Sequence, residues 1–360
     1  MRILHVITSL RAGGAEKLMV DLLPCLKNKG FDVELVLFDG TETPFRRELE
    51  AKGIKVFDFG IGGSVYSPMR LMKLIPILKK YDIVHTHNTA PQLFAAIGSM
   101  LRSVNLCTTE HNTSNRRRAW KWFAPVDHWM YSRYRKIICI SDKTEENLRA
   151  SLKYFPTDTI TVYNGIPVEK YSKAQPAKEP ALLPPDIIKI MMVAGFRYQK
   201  DHPTVIKALK LLPDNCHLFL VGDGERRHEY EDLTCELSLG ERIHFLGVRS
   251  DVPSLLKAAD ICIISSHWEG FGLAAVEAMA AGKPVIATDV PGLAEVVKGA
   301  GILVPPENPQ SIAAEIHRLA TDKRYYEDTV SAERARAEQY DISKMADGYA
   351  RVYNSLDEAN

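Results

Sequence analysis

Short apolar runs alternate along the whole chain with stretches whose apolar positions recur at helical spacing. In parallel sheets covered by helices on both faces, strands read as continuous apolar runs, so the pattern is that of an α/β fold. It predicts strands at 3–7, 33–38, 54–57, 83–86, 106–109, 137–140 and 160–163 in the first half. In the second half it predicts them at 188–193, 218–221, 243–246, 261–264, 285–287 and 302–304. Each half is expected to be a doubly wound sheet, with domains at 1–172 and 187–341. Between them, 173–186 carries Pro176, Pro180, Pro184 and Pro185 without a periodic apolar face and is read as a linker. Helical stretches at 309–319, 324–339 and 343–356 exceed what one sheet needs. Open α/β sheets bind ligands at the carboxyl ends of their strands, so two such sheets facing each other place the substrate in a cleft between domains.

Composition narrows this picture. A chain of 360 residues exceeds one usual core, and 46% hydrophobic with 25% charged residues is ordinary for a soluble protein. No apolar run approaches the length of about 18 residues that a membrane span needs, and no charged-then-apolar leader opens the chain, so a cytoplasmic protein is expected. Cys25, Cys107, Cys139, Cys216, Cys235 and Cys262 lack C-x-x-C spacing and lie mostly in apolar segments, as reduced buried thiols do. Charge is uneven: residues 1–170 hold 25 Lys+Arg against 17 Asp+Glu, net +8, and the remainder 21 against 28, net −7. The basic half calls for an acidic partner. Arg116, Arg117, Arg118 and Lys121 stand among Trp120, Trp122 and Phe123, a composition suited to the surface of an anionic bilayer. A nucleic-acid patch, or a solvated basic face over buried aromatics, has the same ingredients.

The chemistry concentrates in the stretch from Ser266 to Ala287. The run 261–264 has strand character, Gly270-Phe271-Gly272 makes a turn, and the segment from Leu273 is rich in helix formers and stops at Gly282. The first backbone N–H groups of such a helix attract an anion such as a pyrophosphate. Glu269 in the turn and Glu277 within the helix, seven residues between them, can accept hydrogen bonds from sugar hydroxyls. Arg197 and Lys200 follow another predicted strand and can neutralise a diphosphate leaving group. Gly13 and Gly14 close the first strand's loop; they permit close approach of a phosphate or an acceptor, or simply a tight turn. Gly222 and Gly224 follow a strand too, but the third glycine of the dinucleotide pattern is missing, which disfavours a Rossmann dehydrogenase. His85 and His87 alternate on one face of a strand, and no third metal ligand suggests itself. The chain has no Asp-x-Asp pair to hold a cation on a nucleotide diphosphate, so neither metal nor cofactor is expected.

The string from Ser266 to Ala287 resembles the E-x7-E signature of retaining glycosyltransferases of the GT-B fold, most closely those of family 4 (glycosyl transferases group 1). The resemblance runs nearly end to end through the start from Arg2 to Ile7 with Gly13–Glu16, His85 and His87, Thr109-Glu110-His111, Ser141, Asn164-Gly165, Val221–Gly224 and Phe245–Gly247. It implies two Rossmann-like domains, with a C-terminal helix (342–360) crossing back onto the first. It implies that Glu269 touches the donor sugar and Glu277 the nucleotide ribose. By the same resemblance His111 contacts the donor sugar near the reacting carbon, and the loops at Gly222 and Val248 lie near the base. The family's arginine falls at Gly195 here, so Arg197 is the nearest substitute. With Gly14, Gly270, Phe271, Gly272 and Leu273 these residues form the expected donor site.

The expected activity is metal-independent, retaining transfer of a hexose or N-acetylhexosamine from a UDP-sugar to an acceptor hydroxyl, on a lipid-linked glycan of surface polysaccharide synthesis. Alternatives are a GDP-mannose-dependent mannosyltransferase, or a nucleotide-sugar epimerase or hydrolase of the same architecture. A front-face path is expected, in which the departing phosphate oxygen takes the acceptor proton. No nucleic-acid partner is expected, and the protein should sit in the cytoplasm, peripherally on the inner membrane face.

Overall fold

The computed structural model describes residues 1–11, 13–111, 124–152, 158–178, 184 and 186–358. The chain forms two compact units, one of residues 1–165 with 342–360 and one of residues 166–341.

The first unit carries β1 (Arg2–Ile7), β2 (Asp32–Leu37), β3 (Lys55–Asp58), β4 (Ile83–His87), β5 (Asn105–Glu110), β6 (Lys136–Cys139) and β7 (Asp158–Thr161). Their spatial order is β3-β2-β1-β4-β5-β6-β7, and the pairs are parallel. Leu4, Val6, Val36, Val84, Leu106 and Ile137 pack on one face of this sheet in a single buried core. The opposite face of β1, β4 and β5 presents His5, His85, His87, Cys107 and Thr109, in register across the strands. Over it lies the helix Ile342–Asp357, whose buried Met345, Ala346, Tyr349, Val352, Tyr353 and Leu356 recur at helical spacing. Gly348 lies on the same stripe because a Cβ there would stand 2.6 Å from Val162 Cγ1.

The second unit carries β8 (Ile188–Val193), β9 (Cys216–Val221), β10 (Ile243–Gly247), β11 (Ile261–Ile264), β12 (Val285–Thr288) and β13 (Ile302–Val304). The order is β10-β9-β8-β11-β12-β13, again parallel. Its core is Ile190, Met192, Leu218, Leu220, Ile261, Ile263 and Ile286, with Ile312 and Ile316 from the helix Pro309–Thr321.

Two placements differ from the sequence expectation. β7 lies two residues earlier than 160–163, with Ile160 and Tyr163 36% and 40% exposed. It is the edge strand, so apolar character does not fix its span. Its hold comes instead from Thr159 and Thr161, whose hydroxyls donate to Glu145 at 2.7 and 2.6 Å. The second difference is the division between units, which falls after Gly165, ahead of the expected boundary at 172. Val168 and Tyr171 bury the short helix Val168–Ser172 in the second unit, and Ala177 within the expected linker donates its N–H to Ser254 O at 2.8 Å. Buried side chains, not the prolines, decide to which core Val168–Ser172 belongs.

Candidate functional site

In both sheets the strand order reverses beside the first strand of the unit, at β1/β4 and β8/β11, and such switch points open a crevice at the strands' carboxyl ends. In the second unit the fully buried β11 delivers Ser265 and Ser266 into that position. Ser265 Oγ donates to the carbonyls of Lys200 and Asp201 at 2.9 and 3.0 Å, which ties the loop after β8 to the loop after β11. His267 N–H donates to Gln199 O at 2.8 Å, and Gln199 Nε2 returns a bond to Trp268 O at 2.8 Å. Two loops distant in sequence thus become one rigid rim.

Glu269 sits on this rim, 7% exposed. Its Oε1 accepts from Ser266 Oγ at 2.7 Å and pairs with the Lys200 ammonium. The backbone behind it is crowded: a Cβ on Gly292 would stand 2.3 Å from Glu269 O, and Gly292 has φ +84. Gly270 and buried Phe271 complete the turn, with Phe271 edge-on to Tyr340 at 5.2 Å. Gly272 caps the helix Leu273–Ala280 with φ +91, a left-handed geometry that favours glycine. Leu273 opens that helix, and Glu277 lies in its second turn, half-buried, accepting from the Tyr171 hydroxyl at 2.6 Å.

The other expected residues of the second unit follow neighbouring strands of the same sheet. Arg197, at the end of β8, is exposed, and its Nε lies 3.8 Å from where a Cβ on Gly195 would be. Its guanidinium therefore occupies the space above Gly195. Gly222, after β9, has φ +142 and its backbone packs so closely that a Cβ would stand 2.1 Å from Ala194 O. Val248, after β10, is 71% exposed. These positions follow β8, β9, β10 and β11 at the carboxyl ends of the strands, the edge at which open α/β sheets bind ligands.

The first unit holds Gly14, exposed at the start of the helix Gly14–Asn28, and His111 directly after β5. Next to it, Glu110 is turned to the other face, accepting from Gln92 Nε2 at 2.7 Å and the Tyr131 hydroxyl at 2.5 Å. His111 Nε2 lies 3.0 Å from His87 Nδ1. Burial pushes its pKa down to about 4, against an upward pull from Glu110. His85 and His87 do have a third histidine beside them: His5 of β1 brings its ring nitrogens within 4.8 Å of theirs. That partner stays hidden in the sequence because it is contributed by another strand, although it holds the equivalent inward position. Tyr171 stays hidden for the same reason, since nothing near it in sequence points to Glu277. Arg116, Arg117, Arg118, Trp120, Lys121 and Trp122 lie outside the described residues.

The description of the group 1 glycosyl transferases matches residues 175–336, and that of glycosyltransferase family 4 matches residues 12–170. The chain is 31% identical to an uncharacterized glycosyltransferase of Methanocaldococcus jannaschii, over 76% of this chain and 75% of that protein. It is 26% identical to the Escherichia coli UDP-Gal:alpha-D-GlcNAc-diphosphoundecaprenol alpha-1,3-galactosyltransferase, over 90% of this chain and 89% of that protein. HepE of Anabaena, solved in complex with UDP-glucose, superposes with a TM-score of 0.87 at 24% identity, covering 99% of this chain and all of the other. That likeness is one of fold, and it bears out the GT-B class.

Proposed function

Since the chain belongs to the group 1 glycosyl transferases, with a first half of the family 4 type, we propose that it is a retaining, metal-independent hexosyltransferase acting from a UDP-sugar on a lipid-linked glycan. The observation that carries this reading is the Lys200–Glu269 pair at the start of the helix Leu273–Ala280. A buried carboxylate beside an ammonium offers both an acceptor for sugar hydroxyls and a cation for phosphate oxygens. Arg197, Lys200 and the amides of Gly270 to Leu273 stabilise the diphosphate as it leaves, in place of a metal ion. Its departing oxygen takes the proton of the acceptor hydroxyl on the same face, so configuration is kept. Glu277, steadied by Tyr171, receives the ribose, and the loops at Gly222 and Val248 flank the base. Gly14 and His111 of the first unit contribute to the donor, His111 near the reacting carbon. The Escherichia coli relative, named for UDP-Gal and a diphosphoundecaprenol acceptor, supports this choice of donor and acceptor.

The test is transfer from UDP-hexoses and UDP-N-acetylhexosamines to a polyprenyl-diphosphate-linked sugar, with and without EDTA. Transfer that persists in EDTA with the anomeric configuration kept is the expected result. Dependence on added Mn²⁺, use of GDP-mannose alone, or hydrolysis without transfer would each replace this reading.

Among the described residues no helix is long and apolar enough to cross a membrane. We propose that the segment holding Arg116, Arg117, Arg118, Trp120, Lys121 and Trp122 attaches the protein to an anionic membrane on its cytoplasmic face. At about 1 kcal/mol for each basic residue near such a surface, the attachment is reversible. Binding to vesicles containing phosphatidylglycerol should fall with salt and weaken when Arg116, Arg117 and Arg118 become serine. Equal binding by the triple variant would remove the segment from any membrane role.

A further inference from the structure

Six polar groups of the first unit run in one line to His111. The Tyr349 hydroxyl lies 2.9 Å from Thr109 Oγ1, which lies 2.8 Å from His85 Nε2. His85 Nδ1 lies 2.6 Å from the Tyr353 hydroxyl, and that hydroxyl lies 3.2 Å from His5 Nε2. His5 Nδ1 then meets His87 Nε2 at 3.0 Å, and His87 Nδ1 meets His111 Nε2 at 3.0 Å. The His5 and His87 rings are tilted by only 8° with centroids 5.3 Å apart, the bond length plus about a ring radius at each end, so they meet edge to edge as an in-plane hydrogen bond requires. Every member before His111 is buried.

Burial holds these imidazoles neutral, well below their usual pKa range. A neutral imidazole carries one N–H and one lone pair, and a hydroxyl carries one hydrogen. With both nitrogens of His5, His85 and His87 engaged, each imidazole passes the direction on, and a reversal at Thr109 or Tyr353 would make that hydroxyl accept from both sides and strand its own hydrogen. Tyr349 sets the direction. Its hydroxyl meets Thr109 Oγ1 among the described residues, so in the reverse direction its own hydrogen would be stranded in the core, a cost of about 1–3 kcal/mol. In the forward direction Tyr349 donates to Thr109, Thr109 to His85, His85 to Tyr353, Tyr353 to His5, His5 to His87, and His87 to Nε2 of His111. Only spare lone pairs remain.

We propose that Tyr349, Thr109, His85, Tyr353, His5 and His87 form one polarised hydrogen-bond chain that holds His111 in its Nδ1–H tautomer. His111 then meets its ligand as a hydrogen-bond donor, since its lone pair is committed to His87. It steadies an oxygen of the ligand and takes no proton from it. The six others are positioning residues. This consequence for the ligand rests on the assignment of His111 to the donor sugar, whereas the tautomer itself does not.

A metal is the competing use of the same atoms. The rings of His5, His85 and His87 lie within 8–26° of one another, however, and nearly parallel rings do not aim three in-plane lone pairs at one tetrahedral ion. Among the described residues no carboxylate joins the group to offset the charge.

The test is nitrogen NMR of the whole protein labelled with ¹⁵N-histidine, the His111 signals being assigned by their loss in His111→Gln. His111 should show a protonated Nδ1 and an unprotonated Nε2. In His87→Phe the donor to Nε2 is gone, and the two His111 nitrogens should move toward averaged shifts. His87→Asn, whose side-chain amide keeps a donor near the Nδ1 position, should restore the wild-type pattern. A protonated Nε2 on His111 in the wild-type protein overturns the proposal even if no variant folds, as do unchanged His111 shifts in folded His87→Phe. Zinc alone, added stoichiometrically, should leave the His5, His85 and His87 signals in place; their displacement at one equivalent would make the cluster a metal site. None of these readouts involves sugar transfer, so loss of the glycosyltransferase reading would leave them standing.

Discussion

Glu269→Ala should lower kcat by about two to three orders of magnitude while the protein stays folded, the scale of losing one preorganised electrostatic partner in an active site. The argument starts from burial. Glu269 is 7% exposed and is held by Ser266 and Lys200, so its carboxylate has a fixed position rather than a solvated range of them. Removing it leaves the Lys200 ammonium, itself largely shielded, without its counter-charge, and the ammonium will reorient. On the proposed assignment, the acceptor for the sugar and the placement of the cation on the leaving group are lost together. Glu277→Ala should behave differently, weakening affinity for the free nucleotide more than turnover, because Glu277 lies a turn deeper in the helix. Wild-type turnover by a folded Glu269→Ala protein would end the assignment, and unchanged nucleotide affinity in Glu277→Ala would take that residue off the ribose. Kinetics and nucleotide titration on the two variants decide both points.

The first unit should lose stability steeply as pH falls from about 6.5 toward 4. Folded His5 and His111 take up protons only near pH 3 and 4, and His85 and His87 are held down in the same way by burial and by their neighbouring histidines. In the unfolded chain all four titrate near 6.5. Between these limits the unfolded state binds more protons, so stability rises with pH and falls on acidification, by about 1.4 kcal/mol per pH unit for each histidine fully within its window. Glu110 opposes this slightly at His111. Glu34, Asp39 and Glu145 of the same unit have lowered pKa values, and their contribution is lost only at more acid pH. In the second unit burial lowers His202, His217 and His244 in the same way but raises Asp201 and Glu333, whose effect has the opposite sign, so the measurement must resolve the units. Hydrogen exchange of the β1, β4 and β5 amides at pH 5 and pH 7 does so, and equal protection at the two pH values would contradict the expectation.

Among the described residues every strand overlaps an apolar run of the sequence, and the inner ones are the most legible because parallel strands buried on both faces carry their signal in adjacent residues. The same holds for the turn at Gly270–Gly272 and the glutamates on either side of it. What the sequence withholds is pairing across distance. Lys200 and Glu269 can each be named as site residues, but their ion pair depends on Ser265 and Gln199 tying two loops together. His5 lies 80 residues from His85 and becomes its neighbour only through the β1–β4 register. Edge strands lose legibility for another reason: β7 is half-solvated, so hydrophobicity does not locate its ends.

The helix Ile342–Asp357 closes the first unit from the last part of the chain, and this sets an order on synthesis. When residues 1–165 leave the ribosome, the face of β1, β4 and β5 that carries His5, His85 and His87 has no cover, and the nascent sheet must wait until Ile342–Asp357 follows. At about 5–20 residues per second that wait is roughly 10–40 seconds, during which the second unit, contiguous in sequence, can fold alone. The open face exposes buried histidines and apolar strand residues to whatever binds nascent chains. A chain ending directly after Asp341 would have a complete second unit and a first unit that can never be completed.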